Sequence, residues 1–340
     1  MKGNFLHVFE LTKELVNMES VTGNESRVAH YLRDYLQELK FETEFLAVSG
    51  DRANLWAWHG TPNVVMSTHM DTVPPYFPAS EDENNIYGRG SCDAKGVLAS
   101  QIGAAEKLLA EGTTNFGLLY LVGEETTSEG ARKANQAPPG SRYMVNGEPT
   151  NNRLALGTKG ALRIELTTQG RMAHSAYPHL GESAIEKLLD ILLDFRKMNL
   201  PQHPVMGKTT YTIGLISGGR AANVIPDRAQ AQILFRVAEE GRGFRENVEK
   251  LIGDRAEIEV LSDSPMLLME TLDGFDIEAF PFCTDLPWLS NWGKPLLIGP
   301  GSVSLAHTKE EAISKKEILQ AVDLYAKIVR RLNEKIREGQ

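Results

Sequence analysis

The sequence predicts an α/β protein with two domains, in which a mostly parallel mixed sheet is covered by helices and interrupted by a smaller α+β domain. Most strand-like runs are continuously apolar instead of alternating, which is typical of strands covered on both faces. These runs alternate with helical patterns along the chain, as they do in α/β sheets. Between residues 161 and 262 the order changes to β-α-β-β-α-β, which is the ferredoxin-like order.

The elements of the larger domain follow one another in order. Apolar residues recur at helical spacing over roughly 4–18 and 25–39. Five strand-like runs come next, namely NLWAWHG, NVVMSTHM, FGLLYLVGE, RYMVNGE and LLIGPG. The run AKGVLASQIGAAEKLLAEG predicts a helix that ends at Gly112, between the second and third of these strands. The amphipathic helix KKEILQAVDLYAKIVRRLNEKI is expected to pack against the first sheet, so this domain is assigned to 1–160 and 263–340.

Residues 161–262 are assigned to the inserted domain. Its expected strands are ALRIELTTQG, TTYTIGLISGG, AQAQILFRVAEE and AEIEVLS, and its expected helices are ESAIEKLLDILLDF and FRENVEKLIG. An insert with this order of elements is a domain in its own right.

Composition and charge exclude several classes of protein. The 340 residues are 41% hydrophobic and carry a net charge of -9, so nucleic acid and anionic membrane surfaces are not expected as partners. No uncharged apolar stretch reaches the roughly 18 residues of a membrane span, and the N-terminus has a helical pattern with acidic residues instead of a signal-peptide layout. These features predict a cytoplasmic protein. The two cysteines, Cys92 and Cys283, are too few for a disulfide framework or a thiolate zinc site, so any metal must use His, Asp and Glu.

Acidic residues and imidazoles recur where the predicted strands end. They fall in the segments MSTHMD, GSCDAKG, LVGEE, VNGEPT and SLAHTKEE, and they are His69, Asp71, Asp93, Glu124, Glu125, Glu148 and His307. Open α/β sheets bind ligands beyond the carboxyl ends of their strands. Carboxylates held a few ångströms apart repel one another, and a pair of divalent ions would compensate them. The sequence therefore predicts a site for two divalent metal ions.

Two neighbouring pairs of residues suggest separate roles. Asp71 lies two residues after His69, on the same side of an extended chain, and can accept the second N–H of a metal-bound imidazole. A capping aspartate beside a surface histidine is the alternative. Glu124 and Glu125 would point to opposite sides of an extended segment, so one can bind metal while the other acts as a base. A solvated acidic turn is the alternative for this second pair.

Six motifs, in order along the chain, resemble those of the dinuclear zinc amidohydrolases that include acetylornithine deacetylase, succinyl-diaminopimelate desuccinylase, carboxypeptidase G and aminoacylase. The motifs are STHMDTVP, YGRGSCDAKGVLA, GEETTSEGA, NGEPT, GRMAHSAYP and GPGSVSLAHTKEE. The resemblance covers about residues 5–335. It implies a zinc-exopeptidase-like catalytic domain and an inserted lid and dimerisation domain, and therefore a homodimer formed through the insert.

The resemblance also implies roles for the clustered residues. Two zinc ions, with cobalt as a possible substitute, would be held by two sets of ligands: His69, Asp93 and Glu148 for one ion, and Asp93, Glu125 and His307 for the other. Asp71 would orient His69, and Glu124 would be the general base. The peptide bond that follows Asp93 would be cis.

Four further residues are expected to contact substrate. His174, in GRMAHSAYP, matches the histidine with which the family binds the substrate carbonyl or oxyanion, often across a dimer; a surface histidine is the alternative. Asn223 and Arg236 match polar contacts to substrate, and a planar guanidinium suits a carboxylate. A structural salt bridge is the alternative for Arg236. Gly301, in GPGS, could offer backbone N–H groups to a substrate carboxylate. Lys159 receives no role.

The resemblance favours hydrolysis of an amide bond next to an amino-acid carboxylate. Deacylation of an N-acyl amino acid in amino-acid biosynthesis, with N-acetylornithine as the first candidate substrate, is the leading prediction. A dipeptidase or tripeptidase and an N-succinyl amino acid desuccinylase are the alternatives, because no residue singled out above separates these substrates. A non-catalytic binding homologue is disfavoured because Glu124, Asp93 and His307 are all present.

Overall fold

Helices and strands alternate through most of the chain. The structure, a computed structural model, describes residues 5–241 and 243–339. The helices are α1 Phe5–Val16, α2 Ser26–Glu38, α3 Gly96–Ala110, α4 Glu129–Ala134, α5 Ala184–Lys197, α6 Gly243–Ile252 and α7 Lys315–Arg337. The strands of the first half are β1 Glu42–Ser49, β2 Arg52–His59, β3 Val64–His69, β4 Ser80–Glu81, β5 Asn85–Tyr87, β6 Phe116–Leu121, β7 Tyr143–Asn146, β8 Leu154–Thr158, β9 Gly160–Gln169 and β10 Ala173–His174. Those of the second half are β11 Gln202–His203, β12 Gly207–Lys208, β13 Thr210–Gly218, β14 Val224–Ile225, β15 Arg228–Val237, β16 Glu257–Ser264, β17 Leu267–Leu268, β18 Ile277–Phe280, β19 Lys294–Leu297 and β20 Ala312–Ser314.

A six-stranded mixed sheet with the order β1-β2-β6-β3-β7-β19 forms the framework of the larger unit. β1, β2 and β6 pair antiparallel, whereas β6, β3, β7 and β19 run parallel. Every residue of β3, β6 and β7 is buried, as expected of strands covered on both faces. α3 packs against α1 and α7, and α7 shares one hydrophobic core with the sheet through residues such as Ile318 and Tyr325. The α/β prediction and the expected packing of the last helix are confirmed.

The chain divides into two compact units. The first comprises Met1–Leu156, Met269–Glu278 and Thr284–Gln340, and the second comprises Gly157–Leu268 and Ala279–Cys283. The second unit extends beyond the 161–262 expected from the sequence on both sides. The chain also returns to it at 279–283, a short excursion for which the sequence analysis has no counterpart.

The second unit is built on an antiparallel sheet with the order β13-β15-β9-β16. Its main elements follow as β9-α5-β13-β15-α6-β16, which is the ferredoxin-like order predicted from the sequence. Burial alternates along β9 and β15, and the buried face packs with α5 and α6 in a core that includes Ile164, Ile233 and Phe244. β13 is an edge strand, and most of its residues are exposed.

None of the described helices combines the length and the apolar character needed to cross a membrane.

Candidate metal centre

Parallel strands bring the predicted site residues to one edge of the six-stranded sheet. β3 ends at His69, β6 leads into the Glu124–Glu125 turn, and β7 ends two residues before Glu148. In the register of the sheet, His69 pairs with Leu121 at the end of β6. Because these strands run parallel and side by side, their carboxyl ends meet at the edge where α/β sheets bind ligands.

Two groups of three side chains that could each hold a metal ion share Asp93. In the first group, His69 Nε2 lies 3.0 Å from Asp93 Oδ1 and 3.9 Å from Glu148 Oε2. In the second group, His307 Nε2 lies 3.3 Å from Asp93 Oδ2 and 3.0 Å from Glu125 Oε2. The ligand atoms of each group all lie within 4.8 Å of one another. Asp93 therefore offers a different carboxylate oxygen to each imidazole, which is the geometry of a bridging ligand.

These side chains fit a pair of divalent cations. Asp93 and Glu148 are buried, and Glu148 Oε1 has no hydrogen-bond partner among the residues that the structure describes. Two carboxylate charges 4.8 Å apart would repel by about 3 to 4 kcal/mol at an effective dielectric constant of about 20. Three nitrogen and oxygen ligands for each ion are typical of catalytic zinc sites, in which a further position is left to water or substrate.

Burial and mutual proximity control the protonation of these groups. Burial, reinforced by the charge of Glu148, raises the pKa of Glu124 well above its usual range. Burial also raises the pKa of Glu148. Hydrogen bonds to Asp93 and Glu125 raise the pKa of His307 to about 10. The glutamates and His307 of the metal-free cluster are therefore biased towards their protonated forms, whereas hydrogen bonds from His307 and His69 lower the pKa of Asp93. Metal binding would release protons from the protonated groups.

Asp71 is buried and accepts several hydrogen bonds. Its Oδ1 accepts the backbone N–H of Glu124 at 3.1 Å, and its Oδ2 accepts that of Glu125 at 3.2 Å. The two glutamates lie in a turn, so the turn, and not the extended segment assumed in the sequence analysis, separates their side chains. His69 Nδ1 lies 3.0 Å from the main-chain oxygen of Asp71 and 3.5 Å from its carboxylate, so the main-chain oxygen is the nearer acceptor.

A buried ion pair that the sequence analysis missed supports the backbone of Asp93. Glu311 Oε1 accepts the N–H groups of Cys92 at 3.2 Å and Asp93 at 3.3 Å, while its Oε2 lies 2.5 Å from Arg89. Arg89 and Glu311 are at most 2% exposed. The Asp93–Ala94 peptide bond is cis, as the resemblance implies. Glu311 belongs to the run HTKEE, which has the same pattern as a solvated charged segment and gives no signal of burial.

Asp285 is a second residue that the sequence analysis missed. It directly precedes the short 3-10 helix Leu286–Trp288 and is 1% exposed. Neither of its carboxylate oxygens has a hydrogen-bond partner among the described residues, and burial raises its pKa to about 7. Asp285 belongs to neither group of metal-ligating residues, and its segment PFCTDLPW contains no motif that would have identified it.

Gly301 lies in the first unit at a position that requires glycine. Its φ is +85°, and an added Cβ would come within 2.7 Å of Cβ of Cys92, next to Asp93 in the sequence. Its carbonyl accepts the N–H of Asn151 at 2.8 Å. The role predicted for Gly301 in binding substrate stays a prediction.

The other predicted substrate residues, His174, Asn223 and Arg236, belong to the second unit. His174 is exposed in β10, which pairs with β14 immediately after Asn223. Arg236 lies in β15 with one guanidinium nitrogen 3.5 Å from Cys283 Sγ. No carboxylate among the described residues lies within the 4.0 Å of a salt bridge from Arg236, so its charge is available to an anionic ligand.

Known proteins resemble the chain in sequence and in fold. Residues 156–259 match the family model described as a peptidase dimerisation domain. A peptidase M20 domain-containing protein of Schizosaccharomyces pombe is 36% identical over 336 residues, which cover 95% of this chain and 84% of that protein. A probable carboxypeptidase of Aspergillus flavus is 34% identical over 370 residues, which cover 93% of this chain and 85% of that protein. The structure of a tripeptidase from Staphylococcus aureus shares the fold, with a TM-score of 0.83 at 21% identity over 96% of this chain and 99% of that chain.

Proposed function

The chain belongs to the peptidase M20 family, and from this premise we propose that it is a dinuclear metallopeptidase that removes the C-terminal residue of a short peptide. The observation that carries the proposal is the pair of ligand groups joined by Asp93, with Glu124 in the turn beside them. Zinc is the proposed metal, with cobalt as a substitute, because the donors are nitrogen and oxygen atoms.

The chemistry divides between the cations and the protein. Two bound cations would supply a water of lowered pKa and polarise the carbonyl of the scissile amide. Glu124 takes the proton of that water and passes it to the leaving amine, as a general base that then acts as a general acid. Asp71 holds the backbone of Glu124, and so fixes the position from which this carboxylate works.

We propose that the enzyme selects substrates with a free α-carboxylate. Arg236 has no carboxylate partner among the described residues, and a guanidinium binds a carboxylate in a bidentate manner. His174 and Asn223 are proposed to contact the substrate carbonyl and its polar groups. Peptides and N-acyl amino acids share the free carboxylate, so N-acyl amino acid deacylation remains the second candidate.

The order of the two candidates differs from that of the sequence analysis. The names of relatives at 36% and 34% identity favour a peptidase, and they give no support to N-acetylornithine as the first substrate. The runner-up of the sequence analysis, peptide hydrolysis, therefore takes first place here.

A homodimer formed through the second unit is also proposed. β13 lies at the edge of its sheet, and Leu215 and Ile216 are 62% and 56% exposed. An exposed apolar edge strand is a template for pairing with another chain, and the match at 156–259 is to a dimerisation domain.

A substrate panel tests the proposal. Zinc-loaded protein would be assayed with dipeptides and tripeptides, with the same peptides amidated at the C-terminus, and with N-acetyl and N-succinyl amino acids that include N-acetylornithine. The proposal expects release of the C-terminal residue from the free peptides, loss of turnover with a chelator, and little turnover of the amidated forms. Faster turnover of N-acyl amino acids would favour the second candidate, and no turnover of any substrate would favour a non-catalytic homologue.

A further inference from the structure

The segment between α1 and α2 runs beside the residues that follow β3. Ser20 Oγ donates a hydrogen bond to the main-chain oxygen of Met70 at 2.7 Å, and Thr72 N donates to the oxygen of Ser20 at 3.0 Å. Thr22 N donates to the oxygen of Thr72 at 3.2 Å. These contacts pair Val21 with Thr72 in a parallel bridge, so that Thr22 lies close to Asp71.

The far end of the same segment is held by a charged network. The carboxylate of Glu25 is fully buried and accepts two hydrogen bonds from Arg52, at 2.7 and 2.6 Å. Glu25 also accepts the N–H of Gly23 at 3.1 Å. Arg52 binds Glu129 as well, at the start of α4, directly after the turn that carries Glu124. Bidentate contacts between arginine and carboxylate fix geometry as well as adding energy.

Among the described side chains of this segment, that of Thr22 hydrogen-bonds to Asp71. Its hydroxyl donates to Asp71 Oδ2 at 2.7 Å, and the same oxygen accepts the N–H of Glu125. Asp71 Oδ1 accepts the N–H of Glu124 and lies 3.5 Å from His69 Nδ1. Hydrogen-bond donors on both oxygens thus fix the carboxylate of Asp71. Among the donors found in the described residues, Thr22 supplies the only hydroxyl.

We infer that Thr22 is a positioning residue of the metal centre. By fixing the carboxylate of Asp71, its hydroxyl holds the turn with Glu124 and Glu125, whose N–H groups that carboxylate accepts. It also steadies the residue whose main-chain oxygen lies 3.0 Å from Nδ1 of His69. Partners that orient metal ligands from outside the coordination shell change metal affinity or activity by about 10- to 100-fold when they are mutated. The inference on turnover rests on the proposed function, whereas the inference on metal binding does not, because zinc affinity is measured without substrate.

The test compares three variants. Thr22→Val removes the hydroxyl and keeps the shape of the side chain, Thr22→Ser restores the hydroxyl, and Ser20→Ala removes a hydroxyl bond of the same segment that ends on a main-chain oxygen. The zinc dissociation constant of each metal-free protein is measured by competition with a chromophoric chelator. Thr22→Val is expected to weaken zinc binding by about 10- to 100-fold, with Thr22→Ser near the wild-type value and Ser20→Ala within about threefold of it.

Turnover provides the second readout. Thr22→Val should lower kcat by a similar factor and leave KM within about twofold, because the hydroxyl of Thr22 bonds to Asp71, which belongs to neither ligand group. The inference is overturned if Thr22→Val binds zinc as the wild type does, if Thr22→Ser fails to restore affinity, or if Ser20→Ala loses as much as Thr22→Val. Thr22→Ala is the replacement should the valine variant not fold, as judged by circular dichroism. A wild type that binds zinc and hydrolyses nothing would refute the proposed function alone.

Discussion

Glu124 and Glu125 are adjacent carboxylates for which the structure supports different roles, and replacing each by glutamine separates the roles. Both keep their backbone hydrogen bonds to Asp71 after substitution, because these bonds use main-chain N–H groups. The Glu124 carboxyl makes no side-chain hydrogen bond among the described residues and belongs to neither ligand group. Glu124→Gln should therefore leave the fold and the zinc content unchanged.

Glu124→Gln is expected to lower the turnover number. General acid–base catalysis contributes about 10²- to 10⁴-fold, which equals about 2.7 to 5.4 kcal/mol at 1.36 kcal/mol for each factor of ten. Glu125→Gln removes the negative charge of a predicted ligand whose Oε2 lies 3.0 Å from His307. Loss of a partner outside the coordination shell lowers metal affinity by about 10- to 100-fold, so loss of a ligand's charge should lower zinc affinity at that position by at least as much.

The assay measures two quantities for each variant. Zinc content after gel filtration and zinc affinity by chelator competition report on ligation, and kcat with saturating zinc reports on the base. Turnover of Glu124→Gln within about tenfold of the wild type would refute the assignment of the base. Loss of zinc from Glu124→Gln, or full retention of zinc affinity by Glu125→Gln, would refute the division of roles drawn from the geometry.

Three further predictions concern stability, substrate binding and assembly. The metal-free protein should lose thermal stability as the pH rises from about 4 to about 10, because the pKa values of Asp285, about 7, and His307, about 10, are higher in the folded than in the unfolded state. Each group stabilises the fold below its unfolded pKa, and this stabilisation is lost as the pH rises through its folded pKa. Calorimetric scans should show that bound zinc weakens this dependence on pH. Arg236→Ala should raise KM for peptides with a free carboxylate by about tenfold or more and leave the slow turnover of C-terminally amidated peptides unchanged, and equal KM values would remove Arg236 from the site. Leu215→Lys should convert a dimer to a monomer in light scattering, whereas Leu261→Lys, 38% exposed on the opposite edge strand, should not.

Much of the larger sheet is predictable because its central strands are continuously apolar. β3 and β6 are buried at every residue, and apolar runs of this length are typical of strands, whereas helices are longer. β1 escapes prediction because it lies at an edge and begins with the polar residues Glu42, Thr43 and Glu44, which resemble a loop. β5 and β20 are not predictable for another reason, because each has only three residues. Their pairing joins Tyr87 to Ala312, and no local sequence pattern indicates a contact between residues so far apart in the chain.

The residues of the candidate site are also predictable only in part. Residue types and strand ends suffice to predict that His69, Glu124, Glu125 and Glu148 gather at one edge of the sheet, because the carboxyl ends of parallel strands meet there. The two ligand sets that share Asp93 come from the family resemblance. The supporting residues are not predictable by this reasoning. Thr22 and Glu311 act on partners 49 and 218 residues away, and they do so through a hydroxyl and main-chain N–H groups that no motif encodes.

Hydrogen bonding separates the acids that hold the site from those proposed to bind metal. Asp71 and Glu311 receive N–H groups from the backbone, so the protein itself compensates their charge. Glu148 keeps one oxygen without a partner among the described residues, and it therefore needs a cation or a proton. Asp285 also has no hydrogen-bond partner among the described residues, yet it belongs to neither ligand group. Its pKa of about 7 favours the protonated, neutral form. The balance of buried donors and acceptors thus assigns these four carboxylates to support, ligation or a neutral buried state.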